Sequence, residues 1–274
     1  MSRFYSTFKE TGIPRSMPGI AFLTDSKEAF DQISMIESKN MLDSFNGEYG
    51  ISGIIIKAAE SVDAVVIYYP SIPSLTLSLL SDMTTAGVRI AFKLGTAYSI
   101  TKEIQPGGIV IARAAVREDF ISDQIIDPKL PAIPDFDIYF KTKRTLMSRL
   151  IQLGEEKKGP RAVGCVVLSL GYIGKHLNLK EGRISSLIKA PRLCAVDRDT
   201  SIFYSYGYLR SLRSISILVI SESFSTYSTF DLEDVEKQEE TRKIVSEGIV
   251  NIYTSLKDSI DYIVGSEPVE KQVK

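Results

Sequence analysis

Residues 88–99 read Val-Arg-Ile-Ala-Phe-Lys-Leu-Gly-Thr-Ala-Tyr-Ser, an apolar run of strand length, Val88 to Leu94, that passes into a Gly-Thr pair. An apolar run that is nearly continuous rather than alternating marks a strand covered on both faces. Working outward, six more such runs follow: Gly19 to Leu23, Gly53 to Ala58, Ala64 to Tyr69, Gly108 to Ala112, Ala162 to Leu168 and Ser214 to Ser221. Helical periodicity fills the gaps. One helix opens at Asp25 or Ser26 with Phe30, Ile33 and Ile36 on a face, and another runs from Pro73 through Leu75, Leu79 and Met83. A last helix carries Val245, Ile249, Ile252, Leu256, Ile260 and Ile263 as one stripe. Strands alternating with amphipathic helices predict a three-layer α/β/α sandwich, a central mixed β-sheet flanked by helices.

The 274 residues are expected to form a single domain, with a frayed tail over 266–274. An apolar fraction of 44% with 24% charged residues is that of a globular protein. Thirty-three basic against thirty-four acidic residues leave a net charge of −1, too little field to hold nucleic acid. The segment from Met1 to Ser16 has no apolar run of secretory type, and no stretch is long and apolar enough to span a membrane. A cytoplasmic protein without membrane partners is expected, and with it two reduced core thiols at Cys165 and Cys194 rather than a disulfide. Those cysteines and the lone His176 are too few and too scattered for a metal site.

Ligands in open α/β sheets collect at the carboxyl ends of strands, and three such places carry chemistry. At FKLGTAYS, Lys93, Gly95 and Thr96 offer a cation, close backbone approach and a hydroxyl, which suits a phosphate; a Gly turn beside a solvated Lys fits equally. At AVDRDTS, Asp197 and Asp199 flank a helix start bearing Ile202, Phe203, Tyr206 and Leu209, where Asp199 is placed to cap. At VISESFS, Ser221 and Glu222 leave a strand, and Glu222 is either a general acid or the strand's exit into water. The acidic run Asp231 to Glu240 reads as a solvated helix entry.

These places keep the order and approximate spacing of the nucleoside phosphorylases of the uridine and purine type. ARAAVREDFIS with LPAIPDFDIYF resembles the family's strand and variable loop leading to a Pro-Ala-x-x-Asp helix start, and AVDRDTSIFYSYGYLRSLRSISILVISES resembles its sugar-binding turn, helix and strand. The resemblance runs from about Pro18 to the final helix and is specific over Val88–Phe136 and Arg192–Ser221. It implies phosphorolysis of a nucleoside, uridine or purine, to free base and pentose 1-phosphate, without a cofactor and with inorganic phosphate as co-substrate. It implies Lys93 and Thr96 on phosphate, and Asp199 on the ribose hydroxyls within the turn Asp197-Arg198-Asp199. Tyr172 would stack on the base, His176 and Asn178 would stand where pyrimidine-type members read it, and Glu222 would protonate it as it departs. It also implies a homo-oligomer, a hexamer of dimers, with the aromatic-rich helix Phe203 to Tyr208 either a contact surface or half-buried packing. His176 fits a polar surface loop as well as a base-reading site.

The chain departs from that pattern where phosphate should bind. The first strand leads into Leu23-Thr24-Asp25-Ser26-Lys27 rather than a Gly-Asp-Pro-x-Arg loop, and an anion gains nothing from Asp25. A Gly-rich turn is replaced by Tyr69-Pro70-Ser71-Ile72-Pro73, and proline lacks the backbone donor of an anion cradle. Lys93 stands in place of Arg and loses the bidentate fork. These departures keep two rivals open: a non-catalytic paralogue that binds a nucleoside or completes a hetero-oligomer, and a nucleosidase using water. The discriminating residues are Lys27, Arg89, Arg113 and Arg117, since a phosphate at Thr96 needs one of them nearby.

Overall fold

The computed structural model describes residues 11–101, 103–127, 130, 132–154, 162–170, 193–223 and 235–265. Its elements are β1 (Ile20–Thr24), α1 (Lys27–Ile36), β2 (Met41–Asn46), β3 (Ser52–Ala59), β4 (Val62–Tyr68), α2 (Pro73–Thr85), β5 (Ile90–Ser99), β6 (Ile109–Glu118) and α3 (Ser122–Ile125). There follow α4 (Phe136–Gly154), β7 (Ala162–Leu170), β8 (Leu193–Asp197), α5 (Thr200–Arg210), β9 (Arg213–Ser223), α6 (Val235–Lys257) and α7 (Ile260–Val264). All seven expected strands are present. The two unforeseen ones, β2 and β8, lack the long Val/Ile run that marks a central strand: β2 is an edge strand with an exposed face, and β8 is only five residues long.

The described strands form one mixed sheet in the order β2-β3-β4-β1-β5-β8-β7-β6-β9, and β9 returns to pair with β5. Half of it is therefore an open sheet and half a closed five-stranded ring, β5-β8-β7-β6-β9. The strand β5 makes this possible. Its first half, Ile90–Leu94, pairs with β1, which ends at Thr24; its second half pairs with β8 through Tyr98 and Ser99; and β9 follows its other flank from end to end. Gly95 and Thr96 consequently lie inside a strand and not in the turn expected after Leu94, and β9 likewise carries Ser221 and Glu222 within its span.

Alternate residues of the sheet feed two apolar layers, giving the expected three-layer sandwich. Ala21, Leu23, Val65, Ile67 and Ala91 face α2 and α5 through Leu79, Leu80, Met83, Ile202 and Phe203. Ile20, Phe22, Val66, Ile90 and Phe92 face α1, α4, α6 and α7 through Phe30, Ile33, Tyr139, Ile249, Tyr253 and Ile263. The first helix is capped by Ser26, whose hydroxyl accepts from the Ala29 amide at 3.2 Å. The stripe from Val245 to Ile263 is buried throughout, but it is carried by two helices and not one: α6 ends at Lys257 and α7 starts at Ile260. Of the acidic run, the side chains described at Glu239 and Glu240 are exposed. In α5, Phe203, Tyr204 and Tyr206 are core residues, while Tyr208 and Leu209 are exposed.

One expectation is corrected. Cys165 on β7 and Cys194 on β8 are joined as a disulfide, with Cα atoms 6.1 Å apart. The two strands are parallel neighbours, so residues 29 apart in sequence stand side by side at a separation a disulfide spans; the sequence spacing contained no sign of that adjacency.

A tyrosine ties the layers together: the Tyr204 hydroxyl donates to the Ala112 carbonyl at 2.6 Å and accepts from the Ser216 amide at 3.0 Å, fixing α5 to β6 and β9. Tyr204→Phe leaves a buried amide and carbonyl without this partner and is expected to cost about 1–3 kcal/mol, read as a lowered urea midpoint at unchanged slope.

Candidate functional site

Parallel pairing of β1, β4, β5 and β9 brings their carboxyl ends to one edge of the sheet. The strand β8 runs back along β5 on the flank that β1 has vacated, with Val196 opposite Tyr98, and so hands Asp197 and Asp199 down toward Lys93. The result is a closed inner layer and a partly open outer one.

The inner layer is built on Lys93. Its ammonium donates to Asp197 Oδ2 at 2.5 Å and to Asp199 Oδ1. Asp199 Oδ2 accepts from the Tyr69 hydroxyl at 2.9 Å and from Thr76 Oγ1 at 2.8 Å. Asp197 accepts from Ser169 Oγ at 2.7 Å and from the Thr200 amide at 3.0 Å. Asp197, then, caps α5. Asp199 holds the cap position without a side-chain cap bond, because its carboxylate turns inward to the cation. Ser201 extends the network, its amide donating to Ser169 Oγ at 3.0 Å and its hydroxyl to Asp119. Lys93 is 1% exposed and Asp199 0%, so solvent reaches neither. Burial alone would push Lys93 down, but the charges of Asp197, Asp199 and Asp25 outweigh it and hold the ammonium above its usual range. Burial would likewise raise Asp199, and Lys93 with the donors of Thr76 and Tyr69 holds it below the carboxylate range.

The outer layer contains Asp25, Thr96, Tyr98, Ser221 and Glu222, all partly buried, and the exposed Arg198. Thr96 donates from its amide at 3.3 Å and its hydroxyl at 3.2 Å, both to Asp25 Oδ2. Burial raises the Asp25 carboxyl to about 6, with Lys93 opposing. Tyr98 stands opposite Glu222 across β5 and β9; burial raises its hydroxyl, Glu222 adds to the rise, and Arg198 opposes it. The Arg198 guanidinium lies 3.4 Å from the Ser71 carbonyl.

The fold thus gathers Lys93, Thr96, Asp197, Arg198, Asp199 and Glu222 at one edge, while Tyr172, His176 and Asn178 lie outside the described residues. Lys93 and Asp199 are bonded to each other rather than presented to a ligand. The four discriminating basic residues do not pair with Thr96 or Asp25: Lys27 pairs with Asp31, Arg89 with the Thr84 carbonyl, and Arg117 with the Asp127 and Leu130 carbonyls, while Arg113 is exposed. Sequence reading passed over Tyr69, Thr76, Tyr98 and Ser169. Tyr69 and Thr76 meet Asp199 across 130 and 123 residues, and no local pattern announces such partners.

Lys93→Met leaves two buried carboxylates facing each other and is expected to cost about 3–5 kcal/mol by urea unfolding. Asp25 behaves oppositely. Its folded carboxyl keeps a proton up to about pH 6, whereas an unfolded one releases it near pH ~4, so the folded chain holds more protons in that window and loses stability as pH rises through it. Asp25→Asn should therefore match the parent below that window and exceed it above, by at most about 3 kcal/mol, in melting temperatures recorded across pH.

With this geometry in place, comparison with known proteins gives a consistent picture. The family model described as the phosphorylase superfamily matches residues 65–253, a span that includes every inner-layer residue and excludes Asp25. Purine nucleoside phosphorylases of Plasmodium vivax and Plasmodium falciparum are 26% identical over 140 residues, 51% of this chain and 53% of theirs; the chain spans about half the length of these curated relatives. In fold it is similar to a uridine phosphorylase from Vibrio fischeri ES114, with a TM-score of 0.71 at 15% identity over 90% of this chain and 92% of that one. It is similar also to a purine nucleoside phosphorylase from Toxoplasma gondii in complex with immucillin-H, with a TM-score of 0.70 at 14% identity over 90% and 95%. The matched span covers well over half of the sequence, and the chain belongs to the phosphorylase superfamily.

Proposed function

We propose that this protein is a nucleoside-binding member of the superfamily that does not carry out phosphorolysis, a non-catalytic paralogue. The observation that carries this reading is the buried pairing of Lys93 with Asp197 and Asp199. The cation that would balance phosphate and the carboxylate that would take the ribose hydroxyls neutralise each other, each 1% exposed or less. A phosphate monoanion or dianion beside Thr96 would instead meet the Asp25 carboxylate, while the Lys93 ammonium is already held by two carboxylates. Nucleoside as the ligand is taken from the relatives, and the outer residues Tyr98, Arg198 and Glu222 supply an aromatic ring, a cation and a carboxylate of the kind that binds a base and its sugar.

Phosphorolysis is the second reading, favoured by the superfamily match over residues 65–253, a span that contains Lys93, Thr96, Asp199 and Glu222. In it the inner layer opens on binding, Lys93 and Thr96 hold phosphate, Asp199 holds the ribose, and Glu222 protonates the leaving base. A homo-oligomer belongs to both readings; exposed Phe136, Phe140 and Met147 on α4 are available to its contacts.

Release of free base from uridine, inosine, adenosine and guanosine, with and without phosphate, tests these alternatives. The expected result is no release by folded protein that still binds a nucleoside by calorimetry. Phosphate-dependent release lost in Asp199→Ala would establish phosphorolysis, and release indifferent to phosphate would establish a nucleosidase.

A further inference from the structure

We propose that Asp25 is the residue that excludes phosphate from this site, by placing its own carboxylate oxygen in the cradle where an oxyanion would sit. The cradle is visible in the backbone. Gly95 has no side chain, and a Cβ built there would come within 3.4 Å of Asp25 Oδ2 and 3.1 Å of Lys93 Cε. That oxygen borders the space the glycine leaves open, together with Lys93 Cε and Leu218 Cδ2, the latter also at 3.4 Å. It also takes both donors that Thr96 points into the space, the amide at 3.3 Å and the hydroxyl at 3.2 Å. A bare glycine, a backbone N–H and a hydroxyl are parts of an oxyanion site, here met by a carboxylate of the same chain.

Two further observations support an occupant in place of a ligand. Asp25 sits directly after β1, on the segment outside the stretch that the superfamily model matches. Its other oxygen, Oδ1, is buried and has no hydrogen-bond partner among the described residues. A carboxylate selected for the stability of this edge would use both oxygens, since an unsatisfied buried acceptor is costly. The unused oxygen instead offers an acceptor to a neutral donor, such as a ligand hydroxyl. Asp25 in this role presupposes the proposed absence of phosphorolysis and gives its cause: the site's polarity is reversed, from one that welcomes an anion to one that supplies its own.

The test is binding of inorganic phosphate to the full chain, by calorimetry and by phosphorus NMR line broadening at pH 7.5, with no nucleoside present, so that its outcome is separate from that of the base-release assay. The parent should show no saturable binding. Asp25→Ala, which vacates the cradle and removes one negative charge, should bind phosphate at least about tenfold more tightly than the parent. Asp25→Asn, which keeps an acceptor on Thr96, should stay close to the parent. Asp25→Ser serves if the alanine variant is unfolded by circular dichroism. Phosphate binding by the parent equal to that of the vacated variant would overturn the proposal, as would its absence from both. An equal gain in Asn and Ala would assign the exclusion to charge alone and overturn the occupancy of the cradle.

Discussion

The structure depends on one lysine held between two aspartates in the interior. Removing an ammonium and two carboxylates from water is expensive, and their attraction offsets the cost only when every remaining lone pair and proton has a partner. Here that condition recruits residues from six elements: Lys93 from β5, Asp197 from β8, Thr200 from α5, Thr76 from α2, Ser169 from β7 and Tyr69 at the end of β4. None of these contacts works unless the strands sit in one register. The network therefore fixes where β8 ends relative to β5 and how α5 enters, as well as the electrostatics of the edge.

The same residues explain why the site is closed. A surface lysine between carboxylates would exchange partners freely and contribute little. Buried, with donors and acceptors matched, it has no capacity left for a third anion. What remains accessible is the outer layer, where the hydrogen bonds from Thr96 to Asp25 are long, at 3.2 and 3.3 Å, and thus weaker than those beneath.

The fold was largely legible because its central strands are covered on both faces and so keep long Val- and Ile-rich runs, as at Ile54 to Ile56 and Ile215 to Val219. Strand β2 was not, since one of its faces is wet, and the end of β5 was misjudged because Gly95 reads as a turn until β9 is seen running beside it. The candidate residues were legible as a group but not in their pairing. Lys93 and Asp199 are recognisable from local sequence, yet what decides their role is that each is the other's partner across 106 residues. The charge of Asp25 is legible in the sequence as unhelpful to an anion, but its place on the Thr96 amide and hydroxyl is not. Cys165 and Cys194 failed for the same reason: adjacency of strands is a property of topology.

The closure of β9 onto β5 has a consequence for the chain in concentrated solution. A nine-stranded open sheet would present two rows of unpaired backbone groups to other molecules, and such rows are templates for intermolecular strand addition. The ring removes one of them. The other, along β2, is interrupted by a register shift between Met41 and Asp43 and carries Asp43, Ser44 and Asn46. Among the described strands, one border of the sheet is thus closed by topology and the other is an irregular, polar strand.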